Sequence, residues 1–306
     1  PMIPIALTIL AATWIGLRAE HRFPGRAGTG SRGALTLVLY TVLPLVVFFN
    51  LARAELDGDF AVGVVLAWIA VAICTGLAYL VGSRILRLRR EQTGALLCCV
   101  LVANTGYLGY PLVGATLGFD RIGEAVVYDV LVSGSTLLIG AFSVGAAFGT
   151  RAGEGGWQRV RAFFTRNVPL YAAAFGLLAP ASFAPDIAVD ISRVAIVALL
   201  PLGFFAVGAA LAEDEERGEV RLPPTLTKPV ATAVAVKVML MPALLFALAT
   251  PLIDLPTTFL VLAAMPSGLN SMVIAHAYGL DLKIIAGALV WTTGLVVPVA
   301  LVASLV

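Results

Sequence analysis

Asn104-Thr105-Gly106-Tyr107-Leu108-Gly109-Tyr110-Pro111 lies inside a long apolar run, yet it makes a poor continuous helix. Two glycines and a proline fall within eight residues. Proline removes an amide donor and clashes with the preceding turn. A second run carries the same ingredients: Met265-Pro266-Ser267-Gly268-Leu269-Asn270-Ser271. Non-helical backbone at membrane depth survives only where protein buries it or where it lines a wet cavity. Paired interruptions in corresponding segments of two halves are the best sequence pointer to a transport site. An ordinary proline kink explains either segment alone. The pairing, with an asparagine in each, points to two broken helices that cross.

The two interruptions belong to a wider repeat. Leu43-Pro44-Leu45-Val46-Val47-Phe48 returns as Leu200-Pro201-Leu202-Gly203-Phe204-Phe205, 157 residues later. Gly118-Phe119-Asp120 returns as Gly279-Leu280-Asp281, 161 residues later. One such match is cheap in a Leu-rich chain. Two in the same order at nearly one offset indicate a duplicated half.

Composition sets the solvent. Sixty per cent of the 306 residues are apolar and 12% are charged, with a mean hydropathy of +0.98. A soluble domain carries about 25% charged residues. The chain reads as an all-α integral membrane protein, with no stretch polar enough for a separate soluble domain. A net charge of +2 is too small to argue for a nucleic-acid partner. Cys74, Cys98 and Cys99 lie in apolar runs without metal-ligand spacing to a histidine and read as small buried hydrophobes. No metal or cofactor is indicated. There is also no paired-carboxylate, nucleophile–base or phosphate-loop constellation that would suggest an enzyme. Trp14, Trp68, Trp157 and Trp291 are scattered and form no cofactor box.

A span needs about 20 mostly apolar residues. Apolar runs between charge and Gly/Pro punctuation give ten, near 2–17, 33–52, 60–83, 92–117, 121–148, 166–182, 191–211, 226–249, 255–279 and 282–304. The first is positive after its end rather than before its start, so it reads as a retained helix and not a signal peptide. Lys and Arg then orient the chain. Alternate connections, starting after the first span, hold 16 basic residues, and the other set holds only Arg53, Arg121 and Arg193. The first set is therefore expected in the cytoplasm of a plasma-membrane protein with both termini outside. The longest connection, 149–165, separates a first five-helix repeat (1–148) from a second (166–306). Five is odd, so the halves are expected to be inverted. The acidic run Glu213-Asp214-Glu215-Glu216 reads as a solvated cytoplasmic cap on the seventh helix.

The chemistry is expected where helices four and nine break. A broken helix exposes free amides and a positive dipole end. Two such ends facing each other suit an anion, most simply a carboxylate. Asn104 and Asn270 can donate side-chain hydrogen bonds without a buried charge. Thr105, Ser267 and Ser271 can add hydroxyls. The binding set is Asn104, Thr105, Gly106, Tyr107, Pro111, Pro266, Ser267 and Asn270. Three ionisable groups inside spans are candidates for coupling: Asp129, Lys237 and His276. Asp129 either pairs with Lys237 or carries a proton or cation. Lys237 otherwise snorkels toward the basic face, and His276 is otherwise an interfacial residue. Asn50 reads as a packing or capping group, and Ser133, Gly134, Gly145 and Gly149 as close-packing positions.

The ten-helix plan, Asn104–Pro111, and Ala264–Asn270 followed by Ala275–Asp281 resemble the auxin efflux carrier family, which includes bacterial permeases and plant PIN-type carriers. The resemblance covers essentially the whole chain. It implies a fold shared with bile-acid sodium symporters. Helices 1, 2, 6 and 7 would be a scaffold, with a homodimer contact through helices 2 and 7. Helices 3–5 and 8–10 would be an elevator-like transport domain. In PIN-type carriers an asparagine of the fourth-helix motif meets the substrate carboxylate, and here it matches Asn104. The crossover prolines match Pro111 and Pro266, whereas Asn270 is assigned by the repeat alone. The long regulatory loop of the plant carriers is missing from 149–165. The ninth helix also lacks the acidic residue expected for sodium, which weakens a sodium-coupled reading. The expected function is secondary transport of a small organic anion. The alternatives are a sodium- or proton-coupled symporter of the bile-acid type and a membrane sensor of the same ligand.

Overall fold

The computed structural model describes residues 2–54, 58–151 and 168–303. It is all-helical, and among the described residues the sole β-type pairing is an isolated antiparallel bridge, Ala103 with Ser267. Among the described residues, seven helices are long and apolar enough to cross a membrane. In chain order the elements are α1 (Met2–Arg22), α2 (Arg26–Ala52), α3 (Gly58–Ile85), α4 (Arg90–Leu101), α5 (residues 105–116), α6 (Phe119–Phe148), α7 (Val168–Leu178), α8 (Asp186–Glu216), α9 (Lys228–Ala249), α10 (Thr257–Ala263), α11 (Asn270–Tyr278) and α12 (Leu282–Ala303). The spans of α4 with α5 and of α10 with α11 are interrupted, and α7 is short. The outer surface is apolar: Leu10, Trp14, Phe175, Leu178 and Val194 are all exposed. A helix apolar on its outer face needs lipid, not water, around it.

Several helices change pitch just before a proline. Five- or six-residue π turns at Val38–Val42, Thr105–Gly109 and Ala235–Leu240 precede Pro44, Pro111 and Pro242. Each proline then occupies the first turn of the α-helix that follows, where its missing amide and fixed φ do least harm.

Helices α1, α2, α7 and α8 pack together. The contact of α1 with α8 depends on two glycines. A Cβ on Gly16 would lie 2.1 Å from the Phe205 carbonyl oxygen, and one on Gly208 would lie 2.1 Å from that of Thr13. Only glycine lets the two backbones approach so closely. Gly176 of α7 meets the Phe48 backbone of α2 in the same way. Asn50 of α2 donates to the Val46 carbonyl at 2.8 Å and to Ser192 Oγ of α8 at 2.9 Å, the packing role expected of it.

A second group comprises α3–α6 and α9–α12. Phe259 of α10 takes edge contacts from Phe60 of α3 and Tyr128 of α6. Gly145 of α6 faces the Tyr278 ring of α11, and Gly149 faces the Tyr278 carbonyl. Cys74, Cys98 and Cys99 are buried free thiols. The two groups touch where Gly203 of α8 meets the Tyr107 side chain of α5.

Some expectations need correction. The acidic run is not a solvated loop. It forms the last turns of α8, Asp214 is 1% exposed, and Glu213 binds Arg32 and Arg217. Helices α1, α2 and α8 outrun their expected spans because amphipathic turns with charged residues continue them. The connection after α1 accordingly shrinks to residues 23–25, and Arg26 and Arg32 lie within α2. Most of the 149–165 connection, with Trp157, lies outside the described residues.

Candidate functional site

The break after α4 comes earlier than the motif suggested. Leu101 ends the helix, Val102 is extended, and Asn104 sits at φ −89° and ψ 56°. The residues expected to interrupt it, Gly106 and Gly109, are helical, and Pro111 lies in the first turn of the helix that follows the π turn. The second break spans residues 264–269, between α10 and α11. The two breaks bind each other. The Asn104 amide donates to the Pro266 carbonyl at 2.9 Å, and the Gly268 amide donates to the Val102 carbonyl at 3.0 Å. Gly268 is required here, since its Cβ would stand 2.9 Å from the Ala103 carbonyl oxygen.

A helix that stops at Leu101 leaves carbonyls without partners. Each of the last ones finds a donor from elsewhere. Ser267 Oγ donates to the Cys99 carbonyl at 2.8 Å, Lys237 Nζ to that of Val100 at 3.0 Å, and Thr136 Oγ1 to that of Leu101 at 3.2 Å. The Ser267 amide in turn donates to Thr292 Oγ1 at 3.1 Å. Lys237 is 3% exposed. It neither snorkels outward nor reaches Asp129: its cation caps the negative end of α4. Ser267→Ala is expected to cost about 1–2 kcal/mol by orphaning the Cys99 carbonyl. A lowered melting temperature of the purified protein checks this.

On the other side of the break a helix starts. The first described ladder bond of α5 runs from the Gly109 amide to the Asn104 carbonyl at 3.1 Å, so residues 105–108 form its open first turn. Asp129 of α6 lies beside this turn. Its carboxylate accepts from Thr105 Oγ1 and, at 2.7 Å, from Tyr110 Oη. The Cβ position of Gly106 is 4.0 Å from Asp129 Oδ2. Asn104 is 7% exposed, and its side-chain amide has no hydrogen bond to any described residue. It is an open donor and acceptor on a largely buried residue.

The structure thus brings Asn104, Thr105, Gly106, Pro266 and Ser267 together at the meeting of the breaks, with Asp129 and Lys237 beside them. Asn270 differs from its expected mate, being exposed at the first turn of α11 while Asn104 is buried. Tyr107 packs on Gly203 and Pro111 is buried within α5. His276 belongs elsewhere. It lies at the far end of α11, with Nε2 3.0 Å from Asp214 Oδ1. Sequence reasoning left out Tyr110, Thr136 and Thr292. Their signal was a hydroxyl inside an apolar span, which is too common to single out.

Chemically the site is asymmetric. Its carbonyl end is closed by an ammonium and hydroxyls. Its amide end at residues 105–108 remains open beside Asn104, whereas at the start of α11 the Ser271 and Met272 amides already donate to the Gly268 and Leu269 carbonyls at 3.0 and 2.9 Å. Open helix amides attract negative charge.

A family model described as a membrane transport protein matches residues 2–145 and 173–304. An uncharacterised transporter of Methanocaldococcus jannaschii is 24% identical over 272 residues, covering 84% of this chain and 83% of that one. An uncharacterised transporter of Methanothermobacter thermautotrophicus is 29% identical over 154 residues, 49% of each chain.

Proposed function

Because the chain belongs to the membrane transport protein family, that of the auxin efflux carriers, we propose that it is a secondary transporter of a small organic anion, most simply a carboxylate. The observation that carries this reading is the pair of breaks. Two helices are interrupted at one place, bonded to each other through Asn104–Pro266 and Gly268–Val102, with an unpartnered Asn104 side chain beside the open start of α5. The anion would accept from the Asn104 side chain, from the amides of residues 105–108 and from the exposed Asn270 side chain.

In this reading the interrupted segments and α7 complete ten crossings, arranged as inverted repeats of five, with both termini outside the plasma membrane. The scaffold is α1, α2, α7 and α8. The remaining helices move against it, elevator-fashion, across the Gly203–Tyr107 contact. An outward apolar stripe, Ile187, Ile191, Val194 and Val197, is the surface that the seventh helix would bring to a homodimer. Asp129 favours proton coupling as a second feature of the cycle. Its carboxylate lies beside the positive start of α5, so an ionised Asp129 competes with the substrate for that field and a protonated one yields it.

The test is charge movement by proteoliposomes on a solid support. Malate, malonate, short monocarboxylates and indole-3-acetate are supplied with and without sodium or proton gradients. A saturable current for at least one acid is expected, dependent on the proton gradient and not on sodium. Silence across the panel from folded protein would overturn the reading.

A further inference from the structure

Outside the breaks, a second cluster of ionisable side chains lies at the C-terminal end of α8. Asp214, Glu219 and His276 each bring a ligand atom there, all within 4.8 Å of one another. The chain arranges this locally. After α8 ends at Glu216, Gly218 takes φ 72°, and the amides of Glu219 and Val220 return to the Asp214 carbonyl at 2.9 and 3.2 Å. That turn sets Glu219 over Asp214. The third group, His276, arrives from α11, 62 residues further along.

The carboxylate of Asp214 is only half used. Oδ1 takes His276 Nε2 at 3.0 Å, while Oδ2 is buried and has no hydrogen-bond partner among the described residues. Asp214 as a whole is 1% exposed. A buried carboxylate oxygen without a partner is costly, and a cation would relieve it. The neighbouring Arg217 is no substitute, because it is spent on Glu213 at 2.6 Å. Glu219 has no side-chain partner among the described residues and is exposed, free to turn. The last turn of a 31-residue helix adds a negative dipole end that favours a cation.

We propose that Asp214, Glu219 and His276 form a binding site for a first-row divalent cation of the zinc class. One imidazole nitrogen and two carboxylates suit such an ion, with positions left for water. Ligand atoms on one ion lie at most about 4 Å apart, so rotation of exposed Glu219 closes the site. The bound ion ties the end of α8 to the end of α11. These two helices fall in the two packing groups of the fold, so the tie would brake any movement between them. That effect on transport rests on the reading above; occupancy of the site does not.

The experiment titrates Zn²⁺ by calorimetry, and Co²⁺ by its visible absorption, into chelator-stripped full-length protein in detergent. Wild type is compared with Glu219→Gln and His276→Gln. One saturable equivalent is expected in wild type, weakened roughly tenfold or more in each variant, with loss of the Co²⁺ band. No saturable binding in wild type, or affinity within threefold of wild type in either folded variant, would overturn the site and leave a plain Asp214–His276 ion pair. Glu219 lies beyond the end of α8 and is exposed, so its variant decides the matter even if His276→Gln does not fold.

Discussion

Gly208→Ala is expected to destabilise the protein by about 1–3 kcal/mol although it adds a single methyl group. In an ordinary helix that change is favourable by roughly 0.5–1 kcal/mol. Here the new Cβ would stand 2.1 Å from the Thr13 carbonyl oxygen of α1, with the Leu17 amide at 3.0 Å. Those are backbone atoms, which cannot swing aside as a side-chain tip can. The two helices must part, and the reciprocal contact of Gly16 with Phe205 opens with them. Gly30 supplies the control, since a Cβ there meets nothing within 4 Å. Gly30→Ala should leave the melting temperature unchanged or raise it. Equal melting temperatures for Gly208→Ala and wild type would mean that α1 and α8 are not in backbone contact.

The second large effect is expected at Asp129, where two substitutions separate packing from charge. Asp129→Ala removes the acceptor for Thr105 Oγ1 and Tyr110 Oη, both on buried residues. Each orphaned hydroxyl costs about 1–3 kcal/mol, and α5 loses its tie to α6 next to the break. A strongly lowered melting temperature and loss of transport should follow. Asp129→Asn keeps a carbonyl oxygen for one hydroxyl, and the other can turn to accept from the new amide. That variant should fold nearly as wild type and carry current that no longer depends on the proton gradient. Gradient dependence that survives in Asp129→Asn would remove Asp129 from coupling.

What the amino acids disclosed follows the range of the interaction. The existence of both breaks was legible in Asn104–Pro111 and Met265–Ser271, because Gly, Pro and Asn act on their own backbone. Their placement was less so. The chain breaks at residues 102–104, at the front edge of the motif, because the helix can wind a π turn before Pro111 and keep Gly106 and Gly109 helical. Long-range partners left no local trace. Lys237 serves the Val100 carbonyl across 137 residues, not Asp129. The acidic run at the end of α8 looked solvated by composition, yet Asp214 is buried, with His276 of α11 against it. Asn104 and Asn270 look equivalent along the repeat and differ in burial, since repeat symmetry says nothing of which side faces open space.

Asn104 is the side chain proposed to meet the transported anion. The direct measurement is the concentration dependence of the current for a transported acid in wild type and in Asn104→Ala. Loss of one buried hydrogen bond of about 1–3 kcal/mol should raise the half-saturating concentration roughly 5- to 150-fold, while the melting temperature holds. An unchanged half-saturating concentration in folded Asn104→Ala would contradict the assignment and move the substrate away from the meeting of the two breaks.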